Sequence, residues 1–434
     1  MFRRLKQLLP PSVLSWYHLM LAMFAVLYYG FPSRHLTVIG VTGTDGKTTT
    51  AHLLHEMLAA SGHRVGSLSS LRFKIGEREE PNLLKMTMPG RLRLQWFLAL
   101  CRRSGCRFAI IEVTSQGILQ SRHRFIRFGA AVLTNVTPEH VEAHGGFERY
   151  RAAKLELFRG LPSSGTAVLN REDPSAELFA AATRANVAWY SRTGIELGRV
   201  GHPVRIVAAE RDRMLLELDG RFFQAPLGGE FNILNMLAAA ATALAFHVSL
   251  SAIAAGLDRA GGVPGRLEYI RREPFAVVVD YANTPAAYEQ VYQALTGGNS
   301  IPLEAGQITN SKLICIFGAP GGGRDTWKRR AIGTIASRYC REIILTGDDS
   351  DDEDPAAIAG EIRRGIAADR GADVKIIPDR RRAIRAGLAA ARPGDTLIIT
   401  GMGAQPWIVI GGRKIPWDDR GVVREELEKL APAS

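Results

Sequence analysis

Apolar residues along the chain fall into two regimes. The first is one unbroken run near the start; the second is a series of short apolar strings alternating with amphipathic stretches. Residues 12–31, SVLSWYHLMLAMFAVLYYGF, are apolar on every helical face, with His18 the one titratable interruption ahead of the tyrosines. About 20 such residues are enough to cross a bilayer. Trp16, Tyr17, Tyr28 and Tyr29 stand at its two ends, where interfacial aromatics sit, and Arg3, Arg4 and Lys6 precede it. No small-x-small pattern precedes Pro32, which argues against a cleaved leader. Three readings follow. A helix embedded in or lying on a membrane is preferred. A helix packed on the protein's own body or on a second subunit comes next, and an exporting span last.

From residue 36 the pattern is that of an α/β protein. LTVIGV (36–41) reads as a short buried strand, and TAHLLHEMLAASG (50–62) has helical spacing that stops at Gly62. Toward the C-terminus, strands are expected near 276–280, 312–317, 342–346, 373–377 and 396–400, with helical stretches between them. The polar stretch 295–311 is expected to be a loop. The predicted organisation is a hydrophobic arm (1–35), a central P-loop ATPase domain (36–262) and a C-terminal Rossmann-like domain (263–434).

Composition narrows the function. A length of 434 residues fits about two or three domains. The net charge of +12 asks for anionic partners. No nucleic-acid motif accompanies it, so an anionic substrate and a membrane surface are favoured over nucleic acid. Cys101, Cys106, Cys315 and Cys340 match no zinc spacing and are expected to be free thiols in a reducing cytoplasm. The expected location is cytoplasmic, at the inner face of the membrane.

TGTDGKTTT (42–50) joins the first strand to the first helix of the α/β region. Strand, glycine-bearing turn, Lys-Thr and helix make a phosphate cradle. Gly43, Thr44, Asp45 and Gly46 would close backbone N–H groups on phosphate oxygens, with Thr49 in the first helical turn and the helix N-terminus adding positive potential. Lys47 would neutralise the β- and γ-phosphates of ATP, and the Thr48 hydroxyl would bind Mg²⁺. Val41 stands where the standard loop has its first glycine.

This variant of the loop resembles that of the Mur ligase family, and the resemblance continues in order along the chain. IIEVTSQGILQSR (110–122), LTNVTPEHVEAHGGFERYRAAK (133–154), GEFNILNMLAAAA (229–241), VPGRLE (263–268), VVDYANTPAAYE (278–289), PDRRRAI (378–384) and KIPWDDRGVVREEL (414–427) are each similar to a family motif. The resemblance implies an ATP- and Mg²⁺-dependent ligase of peptidoglycan precursor synthesis. Such an enzyme activates a muropeptide carboxylate as an acyl phosphate and joins an amino acid to it. Thr48 and Glu112 would hold one Mg²⁺, and Glu112 with His140 a second. Lys154 would be carbamylated to orient that ion. Asn235, with Asn232, would meet the adenine, Asp280 the ribose, and Arg266 the γ-phosphate. Thr87, Ser115, Gln120 and Arg122 fall at acceptor positions, and Arg324 would hold the α-carboxylate of the amino acid. Asp348, Asp349 and Asp351 replace a motif that carries an arginine, and Gln405 closes a GMGAQ string in place of GKGHE. An acid-rich pocket prefers an amine, so lysine or ornithine is expected.

Other departures point elsewhere. Asp45, Gln116 and Asn283 replace the family's Asn, His and His, and the hydrophobic arm stands where the family has a UDP-binding domain. The acceptor is therefore expected to be UDP- or lipid-linked. The alternatives are a ligase acting on a lipid-linked precursor, a poly-γ-glutamate-type ligase and a non-catalytic scaffold.

Overall fold

The computed structural model describes residues 10–296 and 312–430. The basic residues Arg3, Arg4 and Lys6 lie outside it. So does the polar stretch 295–311 from residue 297 on; Leu295 and Thr296 end the helix Pro285–Thr296.

Two sheets organise the chain. The first contains β1 (Thr37–Thr42), β2 (Val65–Leu68), β3 (Arg72–Ile75), β4 (Arg78–Pro81), β5 (Phe108–Glu112), β6 (Phe128–Leu133), β7 (Thr166–Asn170), β8 (Asn186–Ser191), β9 (Gly194–Leu197), β10 (Val200–Ala209), β11 (Met214–Leu218) and β12 (Arg221–Ala225). Their spatial order is β12-β11-β10-β9-β8-β7-β6-β1-β5-β2-β3-β4. The run from β8 to β2 is parallel, and the flanking strands add in antiparallel fashion. Parallel strands are covered by helices on both faces, so they read as solid apolar strings. The period of two is still visible: Ile39, Val41 and Ile110 enter one core, and Val38, Ala109 and Ile111 enter the opposite one.

The second sheet contains β13 (Glu268–Arg271), β14 (Ala276–Asp280), β15 (Leu313–Phe317), β16 (Glu342–Leu345), β17 (Val374–Ile376) and β18 (Thr396–Thr400), in the order β13-β14-β18-β15-β16-β17. Only β13 is antiparallel. The expected strands of this region coincide with β14 to β18. The order in which strands are added to the first sheet reverses beside β1, with β5 on one side and β6 on the other, which leaves a crevice beyond the carboxyl ends of β1, β5 and β6. The carboxyl ends of β14, β15, β16 and β18 lead into loops that face the same crevice, so it is walled by both sheets.

The N-terminal apolar run forms the helix Pro11–Tyr29, ended by Gly30 in the left-handed conformation. One face, His18, Ala22, Ala25 and Val26, is buried. It packs on the helix Arg91–Arg103, so for this face the second reading, packing on the protein's own body, holds. Its small alanines permit close approach. Among the described residues no helix is long and apolar enough to cross a membrane.

A second correction concerns the thiols. Cys315, in the middle of β15, and Cys340, at the end of the helix Trp327–Tyr339, form a disulfide with Cα atoms 6.0 Å apart. The strand–helix return brings together residues 25 apart in sequence, a proximity that spacing alone does not reveal. Cys101 and Cys106 are free and buried.

The helix Lys47–Ala60 that carries the phosphate loop is clamped by the helix Leu250–Ala260. A Cβ at Gly256 would lie 2.5 Å from the Met57 Cα. Gly256→Val is therefore expected to lower stability by about 1–3 kcal/mol through overpacking. Denaturant unfolding checks this, and an unchanged transition would show that the two helices can separate freely.

Candidate active site

The floor of the crevice is the loop between β1 and the helix Lys47–Ala60. Two glycines make it possible. Gly43 has φ +151° and a Cβ there would lie 1.8 Å from Thr134 Oγ1; Gly46 has φ +81° and its Cβ would lie 2.1 Å from Asn235 Oδ1. The loop is tied down from β6: Asn135 Oδ1 accepts from the Asp45 N–H at 3.0 Å, and Thr134 Oγ1 donates to Asp45 O at 2.6 Å. The Thr44 hydroxyl lies 3.0 Å from Tyr150 Oη and accepts from the Thr137 N–H at 3.0 Å. Lys47 Nζ donates to Gly43 O at 2.9 Å and Thr44 O at 2.6 Å. Burial pulls the Lys47 ammonium below its ordinary value, against the fields of Glu112 and Asp45.

Glu112, at the end of β5, is 0% exposed and accepts from Ser70 N at 3.0 Å and Ser70 Oγ at 3.2 Å. Burial pushes its carboxyl up, and Lys47 opposes that. Lys154, 1% exposed on the helix Phe147–Arg159, donates to Gly43 O at 2.7 Å and lies 4.5 Å over the Tyr150 ring. Burial, with Lys47 nearby, pulls its amine well down.

His140 has a left-handed backbone, φ 53°, which presents its N–H to Asp325 Oδ2 at 2.9 Å. Its Nδ1 is 3.3 Å from the same oxygen. Burial would raise the Asp325 carboxyl, but the His140 hydrogen bonds and Lys328 bring it down to about 2. Glu139 pairs with the buried Lys328 at 3.2 Å. Ligand atoms of Glu139, His140 and Asp325 all lie within 4.8 Å of one another. Glu139 Oε2 and Asp325 Oδ1 are buried without a hydrogen-bond partner. Such oxygens suit a hard cation, so the donor set fits a divalent metal.

One cavity of about 240 Å³ brings together most of the expected residues: Gly43 to Thr48, Thr87, Glu112, Ser115, His140, Lys154, Arg266, Arg324, Asp348, Asp349 and Gln405. A neighbouring cavity of about 650 Å³ opens behind the loop, with Asn235, Asn135, Phe231 and Gln290 on its walls. Asn232 backs it: its amide donates to Gly228 O at 2.8 Å, and its Oδ1 accepts from Asn235 Nδ2 at 2.9 Å. A third space is lined by Lys85, Arg324, Asp349, Asp351, Gln405, Trp407 and Lys414.

Besides Asn232, four expected residues line none of these spaces. Thr49 is buried in the helix. Asp280 is occupied by the N–H groups of Leu267 (2.7 Å) and Ala282 (2.6 Å), bracing the VPGR turn. Gln120 and Arg122 bond to each other, at 3.1 and 2.6 Å, and Arg122 also reaches Met88 O. Asp349 is held by Lys85, and the buried Asp348 feels the Arg380 charge. The acids expected to receive an amine therefore already have protein cations beside them.

Sequence reasoning missed several residues here. Glu139 lies inside a motif already recognised, so its signal was present; Lys328 lies outside the motifs that carry the family resemblance. Lys85 belongs to no motif; it meets Asp349 across 264 residues of sequence. Thr284 donates to Asp45 Oδ2 at 3.0 Å, and Arg266 reaches Thr48 Oγ1 at 3.5 Å, two further links between the sheets.

Known proteins share this arrangement. The Mur ligase middle domain matches residues 41–243, and the Mur ligase glutamate ligase domain matches residues 265–403. A UDP-N-acetylmuramoyl-L-alanyl-D-glutamate–2,6-diaminopimelate ligase of Gloeobacter violaceus is 38% identical over 415 residues, covering 94% of this chain and 80% of the relative. A UDP-N-acetylmuramyl-tripeptide synthetase of Roseiflexus is 36% identical, with 94% and 82% covered. A solved diaminopimelate ligase of the same description superposes with TM-score 0.59 at 29% identity, over 92% of this chain and 79% of that one. The folylpolyglutamate synthase of Mycobacterium tuberculosis, solved with ADP and AMPPCP, has TM-score 0.68 at 21% identity, a likeness of fold, over 88% and 92%. The resemblance read from the motifs is borne out: this chain belongs to the Mur ligase family of ATP-dependent acid–amino-acid ligases.

Proposed function

We propose that the protein is a ligase of peptidoglycan precursor synthesis that joins an amino acid to a muropeptide carboxylate through an acyl phosphate. The observation that carries this reading is the Lys154 amine, wholly buried against the carbonyl of the phosphate-loop residue Gly43. The boundaries 1–35, 36–262 and 263–434 go with it, as does a cytoplasmic location, where ATP is available.

The larger cavity would hold the nucleoside of ATP, with Asn235 at the base edge, steadied by Asn232. Gly43 to Thr48 would hold the phosphates, and Lys47 would exchange its loop carbonyls for phosphate oxygens. The acceptor carboxylate oxygen attacks the γ-phosphorus and ADP leaves with the bridging electron pair. The amine nitrogen of the amino acid then attacks the carbonyl carbon. Phosphate departs with the C–O electron pair, and the ammonium proton passes to solvent. Several anions meet here, so placed cations matter most. Thr48, Glu112 and His140, with Glu139 and Asp325 beside them, would hold Mg²⁺, which would supply charge neutralisation at the phosphates. Arg266 would reach the γ-phosphate from its place beside Thr48, and Arg324 would take the incoming α-carboxylate. The acceptor is UDP-linked or lipid-linked, with Thr87 and Ser115 at the cavity wall.

A lysine whose amine is held low by burial gives up its proton more readily and can then add CO₂. Its nitrogen bonds the CO₂ carbon, one C=O pair moves onto oxygen, and a proton leaves to solvent. The resulting carbamate would place an anion beside the phosphate loop at Gly43.

ADP release is expected only with muropeptide acceptor and an amino acid together, tested over an amino-acid panel. Lys47→Ala should lower it about 10²–10³-fold. ADP release that no acceptor stimulates would sink the ligase reading. Lys154→Ala should lose activity and regain part of it with millimolar short carboxylates that stand in for the carbamate; full activity without them would exclude carbamylation. Lys85→Met should free the Asp349 carboxylate and lower KM for lysine or ornithine by about tenfold, with kcat little changed. An unaltered preference would place the amino-acid side chain elsewhere.

A further inference from the structure

The helix Pro11–Tyr29 buries one face and exposes another. Trp16, Met20, Phe24, Leu27 and Tyr28 form a stripe on the outer side, with Phe24 58%, Trp16 67% and Tyr28 70% exposed. Their spacing of four, four, three and one places them along a single edge of the helix. Phe24 stacks on Tyr28 with ring centroids 6.2 Å apart. At 1.5 Å per residue the stripe belongs to a helix about 28 Å long. An apolar surface of this extent on a soluble body marks a binding site.

Charge says what binds. The first 44 residues hold no Asp or Glu, while Arg3, Arg4, Lys6 and Arg34 are basic. Arg34 is exposed just past the helix, and the exposed Arg93 stands on the helix packed beneath it. A second copy meeting this face across a two-fold axis would set like charges against each other. An anionic lipid surface instead matches both the apolar stripe and its basic flank. The helix does not qualify as a crossing span, so it would lie in the plane of the interface, with the body of the protein as its water-side covering.

We infer that this helix docks the enzyme on an anionic lipid surface through Trp16, Met20, Phe24, Leu27 and Tyr28. Tyr17, on the same helix, lies close enough to Arg91 to act on its charge, and Arg91 donates to the Gln120 carbonyl next to Arg122. The inference is independent of the reaction proposed above, because it can be tested without turnover.

The test is co-sedimentation of the full chain with phosphatidylcholine vesicles, with and without phosphatidylglycerol. The variant W16S/F24S/L27S/Y28S is the comparison, and light scattering reports mass. The wild type should partition at least ~10-fold more onto vesicles that contain phosphatidylglycerol. The variant should lose that partition while keeping the wild-type thermal transition and ADP release. Equal binding to both vesicle types, or none, would overturn the proposal. So would a wild-type dimer that becomes monomeric in the variant, which would assign the face to a second copy. Loss of ADP release with vesicle binding intact would leave docking standing and count against the ligase reading alone.

Discussion

The structure depends on keeping charge out of water beside the phosphate loop. Glu112 and Lys154 are almost wholly enclosed, and Lys47 lies between them and the cleft. Withdrawing such groups costs several kcal/mol each unless they are paired. Here the loop carbonyls of Gly43 and Thr44 take the two ammonium groups, and the Ser70 hydroxyl and N–H take the carboxylate. Lys47 feels Glu112 and Asp45 there, and Lys154 feels Asp45 and Glu139; a polyphosphate would replace the loop carbonyls as the partner of Lys47. The glycine positions follow from the same need, since a side chain at Gly43 or Gly46 would collide with the residues that hold the loop.

The second sheet meets this floor through polar contacts. Thr284 reaches Asp45, Arg266 reaches Thr48, Asp325 holds His140, Lys328 holds Glu139 and Lys85 holds Asp349. Polar interfaces of this kind can open and reform, unlike a shared apolar core. Nearly every bond across the cleft also uses a group that a substrate or cation could claim. Closing without substrates and closing on them are therefore alternative ways of satisfying the same side chains, which couples substrate binding to the approach of the two sheets.

Much of the fold was legible. Strands buried on both faces leave solid apolar strings, which is why β14 to β18 could be located from sequence. The phosphate loop was legible because its chemistry permits few residue types. Less legible were features made by distant contacts. The Lys85–Asp349 pair spans the two sheets, and without it the acids at 348–351 read as vacant. Cys315 and Cys340 meet only because a helix returns beside its own strand. Asp280 reads as a ribose ligand in its motif, and the fold adds bonds that the motif does not announce: Oδ2 accepts from the N–H of Leu267 beside Arg266, and Oδ1 from that of Ala282. The apolar run at the start hid its division because the residues of its buried face, Ala22, Ala25 and Val26, are as hydrophobic as those of its exposed one. Size separates the faces: small residues permit helix packing, and large ones are left outside.

That division also explains how one excess of positive charge can act in two places. Inside the cleft, lysines and arginines act at hydrogen-bond distance in a poorly screened space, where each is specific for the geometry of a carboxylate or phosphate. Beside the N-terminal helix Arg34 and Arg93 are exposed and act over about a Debye length, which would favour an extended anionic surface over any one ligand. Cations of the second kind add little to folding, because exposed pairs are weak. Their placement beside an exposed apolar stripe is the charge pattern that docking on an anionic surface would use.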